Sequence, residues 1–371
     1  MLLLRVHDRR AYREIAAWWL LTRAVVFGAA LAVGAIGWPA HPTHHGLGLL
    51  TGWDGNWYRR IATDGYHTTA SGKSDLAFFP LLPVLMANAR RLGIPTIVSG
   101  LVAANACFLA GLCALHAVHC RWVDEETARR SAIYAAVFPM SFVFSMAYPE
   151  SLALAAIAFA AWAALRSRWD ASTALTAAAT MARPQSVLVA IPIAATAWAG
   201  GRRGRPAALV AAVAAPVAIA AFSLYLWRTV GDASAWTHAE KAWGRSFSLR
   251  GPIDALRQVV HAPYSTLGDK PYAVVWLLRD VTFVAVYLGL LAVAAARTRI
   301  PRPWLAYGLL VVVLPLFTGS FTSAARFGVL PLPAFAGLAV LGRSRAADLA
   351  IKAFGIALLV VFVGSLAYRY P

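Results

Sequence analysis

Long apolar runs, separated by short segments rich in arginine, form the dominant pattern of this sequence. Several runs reach the ~17–25 residues that a helix needs to cross ~30 Å of hydrocarbon. The pattern therefore predicts an all-α polytopic membrane protein with about eleven spans. The spans are predicted near residues 14–37, 94–119, 131–148, 150–166, 171–182, 186–199, 207–229, 272–296, 303–319, 326–342 and 347–367.

Two parts of the pattern leave the number of spans open. The runs at 171–182 and 186–199 are short and flank Arg183-Pro184. Because proline removes a backbone donor and kinks a helix, these runs are expected to form a broken or tilted pair. The apolar stretch 78–91 ends in two arginines and is short for a span. Its length favours an interfacial or re-entrant helix.

Composition agrees with this class of protein. The chain has 371 residues, of which 60% are hydrophobic and only 13% charged, whereas a soluble domain carries roughly 25% charged residues. The formal net charge of +18 comes mainly from basic residues between the apolar runs. It therefore indicates cytoplasmic loops beside an anionic inner leaflet, and no nucleic-acid partner is expected.

The basic loops orient the chain with its N-terminus in the cytoplasm. The first apolar run follows a basic tail and is expected to remain as an anchor in the plasma membrane. Two long polar segments, residues 38–93 and 230–271, then share the extracytoplasmic face of one membrane domain, residues 1–371. Loops longer than ~15 residues are usually functional.

No metal site is expected in the outer segments. The histidines of the first segment are His41, His44, His45 and His67. They lack the tight spacing that zinc sites usually show. The three cysteines share one apolar run, residues 107–120, and are interpreted as small core residues.

The segment GWDGNWYRRIATDGYH, residues 52–67, is the strongest candidate for chemistry. Asp54 lies between Trp53 and Trp57, and indole rings prefer the interface between membrane and water. An ionisable group at membrane depth is costly and points to function. The alternative is a structural aspartate that caps a helix starting near Asn56.

Three charged residues at predicted outer turns are candidates for the same site. Glu150 follows Pro149 and either points into an outer cavity or favours a helix N-terminus through the helix dipole. Arg183 and Arg326 are each the only charge in their own outer turn. A guanidinium suits phosphate bidentately; the alternative is a side chain that snorkels to the interface.

The stretch GDASAWTHAEKAWGRSFS, residues 231–248, adds a third set of candidates. A helix over 234–243 puts His238 and Lys241 on one face. With Arg245 and its tryptophans, such a helix is suited to holding a phosphate and an isoprenoid tail. The alternative is an ordinary interfacial amphipathic helix.

Six sequence blocks, spread in order over most of the chain, carry a family resemblance. They are WDGNWYRRIATDGY (53–66), AFFPLLP (77–83), FPMSFVFSMAYPESL (138–152), ARPQS (182–186), GDASAWTHAEKAWGRSF (231–247) and SAARFGVLPLP (323–333). Together they resemble the bacterial branch of the PIG-V family of GPI mannosyltransferases, which has the GT-C glycosyltransferase architecture. The Trp-Asp pair and the Phe-Phe-Pro that follows it are fairly specific, whereas the other blocks are weaker singly.

The resemblance implies a transferase that uses a polyprenyl-phosphate sugar, with mannose as the expected sugar, on the outer face. The essential acid of the first outer loop in that class corresponds to Asp54. Three positions depart from the eukaryotic pattern: Pro149 stands in place of serine, and Pro184-Gln185 follow Arg183 in place of Ser-Asn. The acceptor is therefore left open as a membrane lipid, a glycan or a glycolipid.

The resulting hypothesis is an inverting, single-displacement hexosyl transfer through an oxocarbenium-like transition state. Asp54 takes the proton of the acceptor hydroxyl as general base, and arginines stabilise the departing phosphate. No nucleotide-binding fold is required, because the donor arrives on a lipid, and no cofactor or divalent metal is expected. Substrate contacts are expected from Trp53, Trp57, Tyr58, Glu150, Arg183, His238, Lys241, Arg245 and Arg326.

Two other functional classes stay open. A transporter or flippase for a lipid-linked substrate would need charged or broken helices near the membrane midplane, often with an inverted repeat. A non-catalytic scaffold of a glycolipid pathway would need neither. The variant Asp54→Asn separates these classes, because only an enzyme should lose sugar transfer through it.

Overall fold

The computed structural model describes residues 8–36, 46–68, 73–201, 204–266 and 271–367. All regular secondary structure within these ranges is helical, which confirms the predicted all-α class. The first nine helices are α1 Asp8–Ala35, α2 Gly48–Thr51, α3 Asp54–Asp64, α4 Leu81–Arg91, α5 Thr96–His119, α6 Glu125–Val137, α7 Glu150–Ala164, α8 Trp169–Ala182 and α9 Ala190–Ala199. They are followed by α10 Arg205–Val230, α11 Ala235–Ala242, α12 Gly251–Thr266, α13 Pro271–Arg297, α14 Arg302–Val313, α15 Ala324–Phe327, α16 Leu332–Leu341 and α17 Arg345–Ser365.

Five of the described helices are long and apolar enough to cross a membrane. They lie in α1, α5, α10, α13 and α17, and they coincide with five of the predicted spans. The helix α4 has 11 residues, or ~16 Å at 1.5 Å per residue, which is too short to span. The other apolar helices are also shorter than a full span, so the predicted number of eleven is not established.

The prediction of one continuous span at 131–148 is wrong. Helix α6 starts earlier, at Glu125, because the Asp124 side chain accepts a hydrogen bond from the Thr127 backbone N–H at 2.9 Å. It ends at Val137, and the chain continues as a 3₁₀ helix over Pro139–Ser145. This segment and α7 meet at a bend of 99°. Proline, which cannot donate to a helical ladder, stands at both ends of the break.

The prediction of one helix at 326–342 is also wrong. Two helices, α15 and α16, occupy this range, and Pro331 precedes the second of them. The expected break at Arg183-Pro184 is confirmed: α8 ends at Ala182, Arg183 is extended, and a 3₁₀ helix follows over Pro184–Val189. The helices of the membrane domain are therefore interrupted at three places, before α7, after α8 and between α15 and α16, and charged residues lie next to these breaks.

The core is built around α7, which is alanine-rich and almost entirely buried. It packs between α5 and α8. A Cβ added at Gly111 of α5 would lie 3.3 Å from the backbone of Ala155, so α5 and α7 approach closely. Small residues permit such contact between helices, as is usual in membrane proteins.

The two long polar segments, which the sequence predicts to be extracytoplasmic, are helical rather than irregular. The first contains α2, α3 and α4 among its described residues, and the second contains α11 and α12. The helix predicted over 234–243 is confirmed as α11. Trp243 follows α11 and packs against Trp57 and Phe78 of the first segment, at ring-centroid distances of 5.6 and 5.9 Å. The two segments therefore pack against each other.

Candidate active site

Four charged side chains from distant parts of the chain meet in one place. Arg326 Nη1 lies 2.7 Å from Asp54 Oδ2, and Arg326 Nε lies 3.2 Å from Glu150 Oε1. Arg183 pairs with the same oxygen of Glu150. We call Asp54, Glu150, Arg183 and Arg326 the charged cluster. The sequence predicted all four as candidates, and the structure brings them together.

The charged cluster is largely shielded from solvent. The side chain of Glu150 is 0% exposed, that of Arg326 is 2% exposed and that of Arg183 is 8% exposed. Burying a charge is costly unless it is paired, and here two carboxylates balance two guanidiniums. Asp54, at 23% exposure, is the most accessible member. A substrate would therefore meet Asp54 first.

Backbone geometry directs Asp54 into the cluster. Trp53 has a φ of +53°, in a left-handed region that is unfavourable for a tryptophan, and Asp54 is the first residue of α3. The Trp53 indole donates to the Leu366 carbonyl at 3.2 Å, and the Asp54 backbone N–H donates to Tyr148 Oη at 3.1 Å. The cap alternative is not what the structure shows, because the Asp54 carboxylate pairs with Arg326.

Arg326 is positioned from within a long apolar helix. Asp280 of α13 accepts the backbone N–H of Ser323 at 3.1 Å and that of Ala325 at 3.3 Å. Tyr287 of the same helix donates its hydroxyl to the Ala325 carbonyl at 2.8 Å. These three bonds fix the short helix α15 to α13. Asp280 is thus a positioning residue for Arg326.

Breaks in the chain place the other two members. Glu150 is the first residue of α7, directly after the 99° bend. Arg183 lies in the extended connection between α8 and the following 3₁₀ helix. Both residues thus lie where a helix is interrupted. The same interruptions made these positions look like outer turns in the sequence.

A third arginine lies at the edge of the charged cluster. Arg245 Nη1 is 3.5 Å from Glu240 Oε2, in a pair that is only partly buried. The guanidiniums of Arg183, Arg245 and Arg326 lie 4.8, 5.5 and 5.2 Å from the centre of the Phe327 ring. Three like charges around one ring repel each other. Guanidiniums that converge in this way are suited to binding a phosphate group.

The surroundings move the pKa values of two carboxyls in opposite directions. Burial alone would raise the pKa of Asp54, but the nearby guanidiniums of Arg326, Arg245 and Arg183 outweigh it, so this pKa is lowered. Burial raises the pKa of Glu240, and its arginine neighbours offset this only in part. Asp54 is therefore ionised at neutral pH, and its present partners make it a weak base.

Aromatic side chains line the region next to Asp54. Trp57 stacks on Phe78 with ring centroids 5.8 Å apart, and Tyr58 meets Phe78 edge-on at 5.2 Å. Trp243, which directly follows α11, packs edge-on against Trp57 and completes the group. Trp57 and Tyr58 were expected near the site, and they lie in the same helix as Asp54, one turn further on. These rings offer an apolar surface beside a charged one.

Two expected site residues lie elsewhere. His238 Nδ1 is 2.9 Å from Asp232 Oδ2, in a pair that is mostly exposed, and Lys241 is exposed as well. Within the described part of the chain, neither forms an ion pair with the charged cluster. Helix α11 instead buries Ala235, Ala239 and much of Glu240. The apolar face of this short helix decides which side chains point inward, and it outweighs their charge.

Sequence reasoning missed three residues of the site. None of Tyr148, Glu240 and Phe327 was assigned a role from the sequence. A usable signal existed for Tyr148, since it lies two residues before Glu150.

His67 lies beside Asp75, while His41, His44 and His45 lie outside the described residues. In the described ranges, no three His, Cys, Asp or Glu side chains are grouped as metal ligands.

Comparisons with known proteins give few matches. No protein-family model and no curated protein sequence matches this chain. Among solved structures, it is similar to the oligosaccharyltransferase AglB of Archaeoglobus fulgidus in complex with an inhibitory peptide and a dolichol-phosphate, with 12% identity, a TM-score of 0.44, and coverage of 94% of this chain and 55% of that one.

Two further structures of the oligosaccharyltransferase from that organism are similar to this chain. The one tethered to an acceptor peptide by a disulfide has 12% identity, a TM-score of 0.43 and coverage of 94% and 55%. The complex with zinc and sulfate has 11% identity, a TM-score of 0.39 and coverage of 94% and 52%. This chain spans about half the length of these structures.

Proposed function

We propose that this protein is a membrane glycosyltransferase of the GT-C type. It moves a hexosyl group, expected to be mannosyl, from a polyprenyl-phosphate sugar to a hydroxyl of a lipid, glycan or glycolipid acceptor. One observation carries the proposal: a partly exposed carboxylate, Asp54, lies among Arg183, Arg245 and Arg326. Such a transfer needs a proton acceptor beside a phosphate-binding group of cations.

The proposed reaction is a single displacement. The acceptor oxygen attacks the anomeric carbon, and the bond from that carbon to the donor phosphate oxygen breaks with its electron pair. Asp54 takes the hydroxyl proton as general base, which typically contributes ~10²–10⁴ in rate. The lipid phosphate leaves as an anion that the arginines stabilise. The anomeric configuration is inverted, and the leaving group needs no acid.

In the charged cluster the two guanidiniums are already paired with the two carboxylates. The donor phosphate can therefore bind only if an arginine exchanges its carboxylate partner for the phosphate. A phosphate presents several oxygens to guanidiniums and can compete with a carboxylate for them. When Arg326 turns to the phosphate, Asp54 loses its pairing partner. Asp54 then becomes the stronger base that the reaction needs, and only when the donor is bound.

This exchange predicts different pH profiles for two kinetic parameters. The profile of kcat/KM reports the free enzyme and that of kcat the substrate complex. In the free enzyme the pKa of Asp54 is lowered, so kcat/KM should show no acid limb above about pH 4, the usual range of an aspartate. When the arginines pair with the donor phosphate instead of with Asp54, only the effect of burial on Asp54 is left, and burial raises its pKa. The acid limb of kcat should therefore lie at higher pH. Acid limbs at the same pH in the profiles of kcat/KM and kcat would contradict the proposed exchange of partners.

Arg245 should serve donor binding without serving stability. Its side chain is 34% exposed and its pair with Glu240 is loose, so Arg245→Gln should leave thermal unfolding unchanged. A charge-assisted hydrogen bond to phosphate contributes ~1.5–3 kcal/mol, so kcat/KM for the donor should fall by roughly 10–100-fold. Arg250→Gln is the matched control, since Arg250 is exposed in the same segment. Equal losses in both variants would argue against a specific role.

The proposal is tested by incubating the purified full chain with polyprenyl-phosphate mannose and a membrane lipid extract. Mass spectrometry should find an acceptor that gains one hexose with the wild type and none with Asp54→Asn. A flippase would move the labelled donor across vesicles without adding a hexose to any lipid. A scaffold would be indifferent to the substitution. Either of these results would overturn the proposal that the protein is a glycosyltransferase.

The proposed location is the plasma membrane, with the N-terminus in the cytoplasm and the charged cluster outside. In a variant with Cys107, Cys113 and Cys120 replaced by alanine, a single cysteine at Asp64, at the exposed end of α3, should react with an impermeant maleimide on intact cells. A single cysteine at Arg299 should react only after permeabilisation. The reverse pattern would place the chemistry in the cytoplasm.

A further inference from the structure

A second concentration of charge lies in a cleft of about 380 Å³. Its lining comes from the connections between α5 and α6, between α13 and α14, and between α16 and α17. The volume falls in the ~300–1,000 Å³ range of small-molecule pockets. Four guanidinium groups line this cleft, those of Arg121, Arg297, Arg299 and Arg343.

The charges in the cleft are not balanced. Asp124 is the acidic residue of the lining, and it lies 3.4 Å from Arg343. Its carboxylate also accepts hydrogen bonds from Thr127 at the start of α6. Among the ion pairs of the described residues, none includes Arg121, Arg297 or Arg299. Three uncompensated cations in one concave site favour an anionic occupant.

The cleft lies at the depth where lipid headgroups are found. Three of the five helices able to cross a membrane end at it: α5 ends at His119, α13 ends at Arg297, and α17 begins at Arg345. From Asp280 to Arg297, α13 advances by ~25 Å at 1.5 Å per residue. The cleft is therefore about one hydrocarbon thickness away from the charged cluster, at the opposite face of the membrane domain.

We propose that the cleft binds the phosphate group of an anionic membrane phospholipid, in the leaflet opposite the charged cluster. The three unpaired arginines contact the phosphate oxygens, and the acyl chains run along the neighbouring apolar helices. This site is separate from the proposed transfer of a sugar. Binding of the phospholipid in this cleft does not depend on the reaction that is proposed for the charged cluster.

Native mass spectrometry of the full chain in detergent tests the site. The chain should retain phosphatidylglycerol and release phosphatidylcholine. The triple variant Arg121→Gln/Arg297→Gln/Arg299→Gln should bind phosphatidylglycerol about 100-fold more weakly, from roughly fivefold for each basic residue near an anionic lipid. All three residues are exposed, so thermal unfolding of this variant should match that of the wild type.

The matched control removes the same charge elsewhere. The triple variant Arg9→Gln/Arg10→Gln/Arg13→Gln lies in α1, where all three side chains are exposed, and it should keep the lipid. Equal loss in both triple variants would show general surface attraction and overturn the site. So would equal retention of the two lipids. Equal affinity for inorganic phosphate and for phosphatidylglycerol would overturn the assignment of the site to a phospholipid.

Discussion

Replacing Asp54 by asparagine should abolish hexosyl transfer while the protein stays folded in the membrane. The amide cannot take a proton from the acceptor hydroxyl, and loss of a general base typically lowers the rate by ~10²–10⁴. Arg326 keeps its ion pair with Glu150, so the buried guanidinium is not left alone. The measurement is the rate of hexose transfer to the acceptor under saturating donor, alongside a thermal unfolding curve.

The control for this variant lies in the same helix. Asp64 is the last residue of α3 and is exposed, so Asp64→Asn removes an equal charge without touching the charged cluster. It should retain the full rate. If Asp54→Asn also keeps more than about one-tenth of the rate, a general base worth ~10²–10⁴ has not been removed, and the proposed mechanism fails.

Replacing Glu150 by glutamine should have the largest effect on stability. Glu150 is fully buried and pairs with both Arg183 and Arg326. Removing one partner of a buried pair leaves an uncompensated charge and typically costs ~3–5 kcal/mol. The free energy of unfolding should fall by about that amount in a denaturant titration in detergent. Transfer activity should be lost as well, because Arg326 is no longer fixed.

Two further variants separate charge balance from simple loss of contacts. The double variant Glu150→Gln/Arg183→Gln restores neutrality in the buried site, so it should be more stable than Glu150→Gln alone. Glu126→Gln is the control, since Glu126 also pairs with two arginines, Arg129 and Arg130, but is 47% exposed. Exposed pairs contribute only ~0–1 kcal/mol. A similar cost at positions 126 and 150 would refute the role given to burial.

The sequence predicted the helical class and the positions of the five longest apolar helices, because a run of apolar residues has one physical meaning in a bilayer. It also singled out every member of the charged cluster. The short turns predicted outside carry few charges, so Glu150, Arg183 and Arg326 stood out individually, and Asp54 stood out between two tryptophans. That the four are ion-paired with each other required the structure, since their positions span most of the chain.

The rest could not be derived from pattern alone. The span predicted at 131–148 failed because apolar composition does not distinguish a straight helix from a 3₁₀ segment that is buried in protein. His238 and Lys241 were placed at the site by their charge. The packing of Ala235 and Ala239 turned α11 so that Glu240 faces inward instead. Such a rotation depends on what the helix packs against, which one sequence does not state.

Helix α13 has a mechanical consequence. Through Asp280 and Tyr287 it holds the backbone next to Arg326 by three hydrogen bonds, so its inclination sets where that guanidinium lies. A helix that crosses a bilayer adjusts its tilt to the local hydrocarbon thickness. We therefore expect the acyl-chain length of the host membrane to change the spacing between Arg326 and Asp54, on which the proposed transfer depends.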